Sequence, residues 1–277
     1  MQKNISKQIA KFGQFLCIEE KSAVTIEKYI RDVRALADYT GPRQLTKNLI
    51  REYKQTLIDK GYAVKSINSM LASINSFLRF IGREECKVKN IRQQRRIYSS
   101  EERELTKAEY YRLISASRNK PRLNMLMKTI CSTGIRVSEL RYFTLESVRQ
   151  GEVIIQCKNK TRVILIPEKL RSLLVHYAKQ NGIIGGPLFV TKTGRPLDRS
   201  NIWSEMKSLY YMAGVKKSKI FPHNLRKLFA RSFYTCEKDI AKLADILGHS
   251  SIETTRIYIM ETGKNHRKVI EMLGLII

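Results

Sequence analysis

The sequence has few of the features that mark secreted, membrane or metal-binding proteins. Its five cysteines are odd in number and are never spaced as C-x-x-C. Neither a disulfide framework nor a zinc site is predicted, and a reducing compartment is the simplest expectation. No run of about 18 apolar residues occurs, which excludes a membrane span, and the N-terminus lacks the apolar core of a signal peptide. We therefore expect a soluble, cytoplasmic protein.

Acidic residues are also scarce, with 25 Asp and Glu against 52 Lys and Arg, and the formal net charge is +27. Such an excess is self-repelling, and a polyanionic partner relieves the repulsion. The basic residues are spread through both halves of the chain, which is typical of a clamp around nucleic acid and not of a polybasic membrane anchor. The few acids do not cluster as ligands for paired metal ions, which argues against a metal-dependent nuclease or transposase. We expect DNA as the partner and no membrane.

Residues 1–90 show only helical patterning and predict a small helical domain. Ser22 is a predicted N-cap, and further helices are predicted over 46–60 and 64–81, each followed by a glycine. Apolar residues recur with helical spacing at Ile5, Ile9, Phe12, Leu16, Val24, Ile26, Ile30, Val33 and Leu36. Basic residues that face solvent or phosphates are predicted at Lys47, Arg51, Lys54, Lys65 and Arg79. Residues 91–104 lose the apolar period and are predicted to be a basic linker.

Residues 105–277 predict a second domain, mostly helical with a small antiparallel sheet. Thr106 followed by Glu109 has the pattern of a capping box, so a helix is predicted to begin there. The β-branched runs 152–157 and 162–166 flank a short polar turn and predict a hairpin. Further helices are predicted at about 168–180, 198–213, 223–235, 239–247 and 251–260.

The second domain contains side chains suited to phosphate chemistry. His223 and Arg226 are three residues apart, just after Pro222 at a predicted helix start, so they share one helix face. Arg136 in CSTGIRVSEL lies just past Gly134, a predicted helix stop. His249 in LGHSS follows Gly248 at a predicted helix end, and Tyr258 in TTRIY lies nine residues after His249.

In order and approximate spacing, these motifs resemble the tyrosine recombinase, or phage integrase, family. The motifs are TGIRVSEL, the lysine-bearing hairpin CKNKTR, PHNLR, LGHSS and TTRIY, and the resemblance covers about 105–262. The segment KSINSMLASINSFLRFIGRE is similar to the core-binding domain of the chromosome-dimer resolvase and transposon-integrase branches. The resemblance implies a helical core-binding domain followed by a catalytic domain with the tyrosine-recombinase fold.

The resemblance also implies catalytic roles for named residues. Arg136 and Arg226 would grip the scissile phosphate, for which forked guanidinium donors are suited. Tyr258 would attack phosphorus and form a 3′-phosphotyrosine, and this covalent intermediate conserves the phosphodiester energy, so no ATP, metal or other cofactor is expected. His223 would accept the tyrosine proton or orient the phosphate, and His249 would donate a hydrogen bond to a non-bridging oxygen.

The family's general acid is a hairpin lysine. The hairpin here is shorter than the usual Gly-Lys-Gly-Asn-Lys form, so Lys158 is preferred and Lys160 stays as an alternative. Glu139, one turn after Arg136, is interpreted as an orienting or structural acid. Lys227 stands where many members carry a second histidine.

The implied function is site-specific recombination through a Holliday junction, carried out by a homo-tetramer on double-stranded DNA in the nucleoid. The apolar C-terminal tail, Met272–Ile277, would pack on a neighbouring protomer or back on its own domain. We expect no arm-binding domain before residue 3, which favours a recombinase that needs only core sites.

Two other functions fit the same motifs. One is a type IB topoisomerase-like DNA relaxer, and the other is a non-catalytic site-specific DNA-binding protein on an integrase scaffold. The sequence leaves open the choice among integration, excision, inversion and dimer resolution. It also leaves open whether an accessory DNA-bending or directionality factor is required.

Overall fold

The chain divides into two units, which we describe separately. The computed structural model describes residues 2–93, 101–157, 160–191, 193–260 and 271–273. One unit comprises residues 1–95 and the other residues 96–277. The boundaries predicted at residues 90 and 104 stay predictions, and residues 94–100 of the predicted linker lie outside the described part.

The N-terminal unit contains four helices, as the sequence predicted. They are α1 (Gln2–Ile18), α2 (Ala23–Thr40), α3 (Lys47–Asp59) and α4 (Val64–Phe80). The predicted N-cap is confirmed, because the Ser22 side chain accepts a hydrogen bond from the backbone nitrogen of Thr25. Thr46 caps α3 in the same way through Leu49. Side-chain oxygens thus satisfy backbone donors that a helix start leaves unpaired.

The helical spacing located most of this unit's core and was wrong at one position. Phe12 packs edge-on against Phe77, with ring centroids 5.3 Å apart, and Val33 and Leu36 are buried. Val24 is 76% exposed, because its spacing places it on the face of α2 opposite the buried Val33, and the side chain of Ile5 lies outside the described part of the chain. Among the predicted basic residues, only Lys54 is half-buried, and the others are exposed at Lys47, Arg51, Lys65 and Arg79.

The second unit begins with two α-helices, and the second of them ends at the functional site. The predicted capping box is confirmed, since Thr106 and Glu109 bond each other's backbone nitrogen at the start of α5 (Lys107–Ala116). Helix α6 (Pro121–Thr133) is buried on most sides and ends at Gly134, which is left-handed with φ 65°. A 3-10 helix, Val137–Tyr142, follows at once.

A two-stranded antiparallel hairpin comes after the short helix α7 (Leu145–Gln150). Its strands are β1 (Glu152–Cys157) and β2 (Lys160–Leu165), with Ile154 opposite Val163. The predicted hairpin is confirmed, although β2 begins at Lys160 and not at Arg162. Alternate residues of a strand face opposite sides, and Ile164 is buried while Val163 and Leu165 are exposed.

The remaining helices are α8 (Glu168–Gln180), α9 (Arg199–Lys207), α10 (Tyr210–Ala213), α11 (Pro222–Glu237), α12 (Ile240–Leu247) and α13 (Ile252–Ile259). The single helix predicted over 198–213 was wrong, because the chain forms α9 and α10 there. At the break, the Ser208 hydroxyl donates to the Glu205 carbonyl at 2.8 Å, a local bond of the kind that competes with helix continuation.

The core of the second unit is formed mainly by α6 packed against α11 and α8. Leu126, Met127 and Ile130 of α6 are almost fully buried. A smaller cluster joins α11 to the last two helices through Ala230, Leu243, Leu247 and Tyr258. Among the residues described, no helix is long and apolar enough to cross a membrane.

Candidate active site

Arg226 is buried at the centre of the second unit. It lies in the first turns of α11, which begins at Pro222, and it is only 2% exposed. Its Nη1 donates to the Gly134 carbonyl, and its Nη2 donates to the Leu247 carbonyl at 2.7 Å. Desolvation, followed by the charge of Arg136, lowers the pKa of Arg226 to about 10. The guanidinium therefore stays charged at neutral pH while it is fixed by main-chain acceptors.

Three arginines share the C-terminal end of α12. The carbonyl of Ile246 accepts from Arg162 Nη1 at 3.0 Å. The next carbonyl accepts from Arg226, and that of Gly248 accepts from Arg136 Nη2 at 3.1 Å. The last carbonyls of a helix lack helical partners and carry the negative end of its dipole. The main-chain carbonyls of the helix end therefore help to hold three cations next to one another.

One carboxylate joins two of these arginines. Glu139 is buried, and it accepts from the backbone nitrogen and Nη1 of Arg136 at 2.7 and 3.0 Å. Its Oε2 also accepts from Arg162 Nη2 at 2.5 Å. Burial lowers the pKa of Arg162, which Glu139 opposes and the charge of Arg136 reinforces. A single acid thus orients Arg136 and leaves the cluster with a net positive charge.

The protonation of His249 follows from its two partners. Its Nε2 lies 3.0 Å from Arg226 Nη2, and its Nδ1 lies 2.9 Å from Thr255 Oγ1. Because a guanidinium only donates, Nε2 must carry the lone pair, and the proton of the neutral ring is on Nδ1, which donates to Thr255. Desolvation and then the charges of Arg226 and Arg136 lower the pKa of His249 to about 4.

Tyr258 is enclosed by these groups. It lies on α13 and is 7% exposed. Its ring centroid is 5.0 Å from that of His249 and 5.1 Å from that of His223, and the Arg226 guanidinium carbon lies 5.9 Å from it. The phenol therefore lies between two imidazoles and next to a buried cation.

His223 differs from His249 in that its side chain is exposed. Desolvation by the surrounding protein, and then the charges of Lys227 and Arg226, lower its pKa to about 4. The nearby cations shift this pKa in the same direction as desolvation does. Both histidines are therefore neutral at pH 7.

The structure brings together five of the six residues singled out from the sequence, namely Arg136, His223, Arg226, His249 and Tyr258. Lys158 lies outside the described residues. The alternative, Lys160, is described only in its backbone, which pairs with Cys157 at the start of β2.

Sequence reasoning missed Arg162. A signal was present, since Arg162 has the same strand parity as the buried Ile164 and so points inward. The apolar residues on the outer face of β2, Val163 and Leu165, hid this alternation. Within the described residues, no three His, Cys, Asp or Glu side chains are grouped so that they could hold a metal ion.

Comparisons with known proteins place this arrangement in a family. The chain is 27% identical over 279 residues to tyrosine recombinase XerA of Pyrococcus furiosus, covering 98% of this chain and 95% of the relative. It is 27% identical over 284 residues to tyrosine recombinase XerD of Staphylococcus aureus, covering 94% of this chain and 96% of the relative.

Solved structures show the same fold. A lambda integrase tetramer bound to a Holliday junction matches with a TM-score of 0.72 and 18% identity, covering 91% of this chain and 76% of that one. The XerH site-specific recombinase bound to palindromic difH matches with a TM-score of 0.73 and 17% identity, covering 99% of this chain and 85% of that one. The N-terminal SAM-like domain of phage integrases matches residues 9–85. The phage integrase family itself matches residues 103–264, more than half of the sequence, and the chain belongs to that family.

Proposed function

We propose that this protein is a site-specific tyrosine recombinase that cuts and rejoins DNA with Tyr258 as its nucleophile. The observation that carries the proposal is the position of Tyr258, enclosed by His223, His249 and Arg226. The phenol oxygen attacks phosphorus, the bond from phosphorus to the 5′ oxygen breaks, and a 3′-phosphotyrosine and a free 5′-hydroxyl result. Attack by a 5′-hydroxyl on the phosphotyrosine rejoins the strand and restores the tyrosine.

Arg136 and Arg226 supply the positive charge for this reaction. The transition state carries more negative charge on the phosphate oxygens than the ground state does, so fixed cations lower the barrier. Their main-chain and carboxylate partners hold both guanidiniums before DNA arrives, which avoids a cost of reorganisation. The Nε of Arg226 has no acceptor within the described residues but is buried, whereas Arg136 is partly exposed, so Arg136 offers donors that a phosphate can reach.

The histidines and a hairpin lysine would move the protons. His223 is neutral at pH 7, so it can accept the tyrosine proton. In the free protein His249 Nε2 accepts from Arg226, and an incoming phosphate both competes for that guanidinium and favours a protonated imidazole. His249 would then donate to a non-bridging oxygen. Lys158, or Lys160 in its place, would protonate the leaving 5′ oxygen.

The DNA partner and the assembly follow from the family. The related structures hold a DNA site or a Holliday junction, and one is a tetramer. We propose that this chain exchanges strands between two double-stranded sites as a homo-tetramer, with its C-terminal tail packed on a neighbouring protomer. Tail residues 274–277 lie outside the described part. Accessory DNA-bending or directionality factors would act on this assembly.

A covalent-capture experiment tests the nucleophile. Nicked suicide duplexes from the DNA that flanks the gene are incubated with wild-type protein, Tyr258→Phe and Tyr234→Phe, in the presence of a chelator, and run on denaturing gels. Tyr234 packs against the same cluster as Tyr258 and is the matched control. We expect a covalent band from wild type and from Tyr234→Phe and none from Tyr258→Phe, because only Tyr258 attacks.

The other outcomes separate the competing functions. A covalent band that persists with Tyr258→Phe would show that another residue is the nucleophile. Tight DNA binding without any band would favour a non-catalytic DNA-binding protein. Relaxation of supercoiled DNA that lacks any specific site, without exchange between two sites, would favour a topoisomerase.

A further inference from the structure

We propose that Arg162 is a positioning residue for DNA cleavage, which aligns Arg136 through Glu139 and the turn before His249 through the Ile246 carbonyl. This inference rests on the proposed recombinase function. It concerns a residue outside the predicted catalytic set, on the strand that leads away from the lysine-bearing turn of the hairpin.

The first support is the shared carboxylate. The Arg162 side chain is 14% exposed, and its Nη2 lies 2.5 Å from Glu139 Oε2. The same Oε2 accepts from the Arg136 backbone nitrogen, while Oε1 accepts from Arg136 Nη1. Arg162 therefore adds a third hydrogen bond that fixes the orientation of the carboxylate. Without this contact, Glu139 keeps only its bonds to Arg136, and the Arg136 guanidinium is held less rigidly.

The second support is packing against the turn that leads to His249. Gly248 is left-handed with φ 61°, and a Cβ built there would lie 2.6 Å from Arg162 Cδ and 2.9 Å from its Nη1. Arg162 therefore packs directly on this turn while its Nη1 holds the carbonyl of Ile246. Gly248 directly follows the last residue of α12 and directly precedes His249, so this contact sets where His249 begins.

The third support is the charge that Arg162 adds. A purely structural ion pair is neutral, whereas here Arg136 and Arg162 share a single acid, and Arg226 lies beside them with carbonyl partners. Burying an extra cation costs free energy unless its partners compensate. Arg162 increases the positive potential where the proposed reaction gathers negative charge. We infer that this potential serves the reaction and not the stability of the fold.

The test compares cleavage of a charged and a neutral scissile group. Wild type, Arg162→Lys, Arg162→Met and Arg231→Lys are assayed at saturating DNA for single-turnover formation of the covalent adduct. Suicide duplexes carry either an ordinary phosphate or a methylphosphonate at the scissile position. Arg231 is a matched control because it also pairs with a glutamate and a carbonyl, those of Glu104 and Leu105, away from Tyr258.

We expect Arg162→Lys to cleave the phosphate duplex about 10- to 100-fold more slowly than wild type, because a misplaced catalytic group costs that much. Lysine keeps the charge and loses the fork that spans Glu139 and Ile246. Arg162→Met should be slower still. On the methylphosphonate both variants should lose less than about threefold, since a neutral group depends less on the direction of Arg136. Arg231→Lys should match wild type on both duplexes.

Three results would overturn the inference. Unchanged cleavage by Arg162→Lys would show that Arg162 does not position Arg136. Equal losses on both duplexes would show that its role is only structural. Equal losses in Arg231→Lys, at the same melting temperature, would also show that the effect is not specific to Arg162. Wild-type protein that forms no adduct on any duplex would instead overturn the proposed function, and this inference with it.

Discussion

At His249, two hydrogen bonds decide which ring nitrogen carries the proton. Arg226 can only donate to Nε2, so Nδ1 keeps its hydrogen and gives it to Thr255. A protonated ring would place two donors face to face, and desolvation followed by the charges of Arg226 and Arg136 lowers the pKa of His249 to about 4. In the free site both histidines are therefore neutral, and the neighbouring cations favour this form until a phosphate binds.

The neutral form of His249 in the folded protein predicts that the free energy of unfolding depends on pH. Between pH 6.5 and about 4 the unfolded chain binds a proton at His249 and the folded chain does not, so stability falls as the pH falls through that window. Between pH 7.5 and 5.0 the loss from His249 should be about 1 to 2 kcal/mol, allowing for its partial exposure. Urea unfolding of wild type and His249→Asn at the two pH values measures it.

The expected result is a smaller loss of stability on acidification in His249→Asn than in wild type. His176→Asn serves as the control, since His176 is exposed on α8, and it should lose as much stability as wild type. If His249→Asn were to lose as much as wild type, the neutral imidazole deduced from the hydrogen bonds would be wrong.

At the scale of elements, the turn after α6 positions two arginines. The left-handed Gly134 ends α6 so that Arg136 lies at the start of the 3-10 helix, and the Gly134 carbonyl accepts from Arg226. A Cβ at Gly134 would lie 2.4 Å from the Phe229 ring of α11 and 3.1 Å from Leu247. Glycine is thus required both by the left-handed backbone and by the close approach of α11.

We predict that Gly134→Ala destabilises the protein by about 2 to 4 kcal/mol, the sum of a left-handed alanine and an overpacked contact. Gly182→Ala is the matched control, because φ there is 64° and a Cβ would have nothing within 4 Å. That variant should lose only about 1 kcal/mol. Thermal and urea unfolding compare the two, and equal losses would show that the contact with Phe229 relaxes freely.

Much of the element layout could be predicted because it depends on local signals. Capping residues, apolar spacing and the glycines located most helices and the hairpin, and the resemblance to a known family located the reactive side chains. The break at Ser208 depends on one side chain bonding to the backbone, and periodicity does not detect it. The carbonyl acceptors of Ile246, Leu247 and Gly248 could not be predicted, since every residue has a carbonyl and only the fold selects which ones meet an arginine.

For the whole molecule, the dominant quantity is a net charge of +27. Glu139 is shared by two arginines, so even the site itself keeps an excess of positive charge. Basic side chains also cover exposed positions of the N-terminal unit, such as Lys47 and Arg51. Attraction to phosphates should therefore supply much of the binding free energy in both units.

We predict a steep salt dependence of DNA binding by the uncleaving Tyr258→Phe protein. With six to ten phosphate contacts, the affinity should fall about 10³- to 10⁵-fold between 50 and 200 mM salt, because counterions are released on binding. Fluorescence anisotropy with a labelled duplex measures this dependence. The melting temperature of the free protein over the same range is the control. A change below about tenfold would mean that few phosphates are contacted.

Helix α13 carries both Tyr258 and the threonine that fixes His249. A displacement of this helix that withdraws the phenol also takes Thr255 from the imidazole, so the nucleophile and the proposed donor to the phosphate lose their positions in one movement. A half-assembled centre, in which an oriented His249 holds the phosphate while water takes the place of the absent tyrosine, is thereby avoided. Because Tyr258 and Thr255 lie on the same helix, the fold thus gives the genome some protection against accidental nicking.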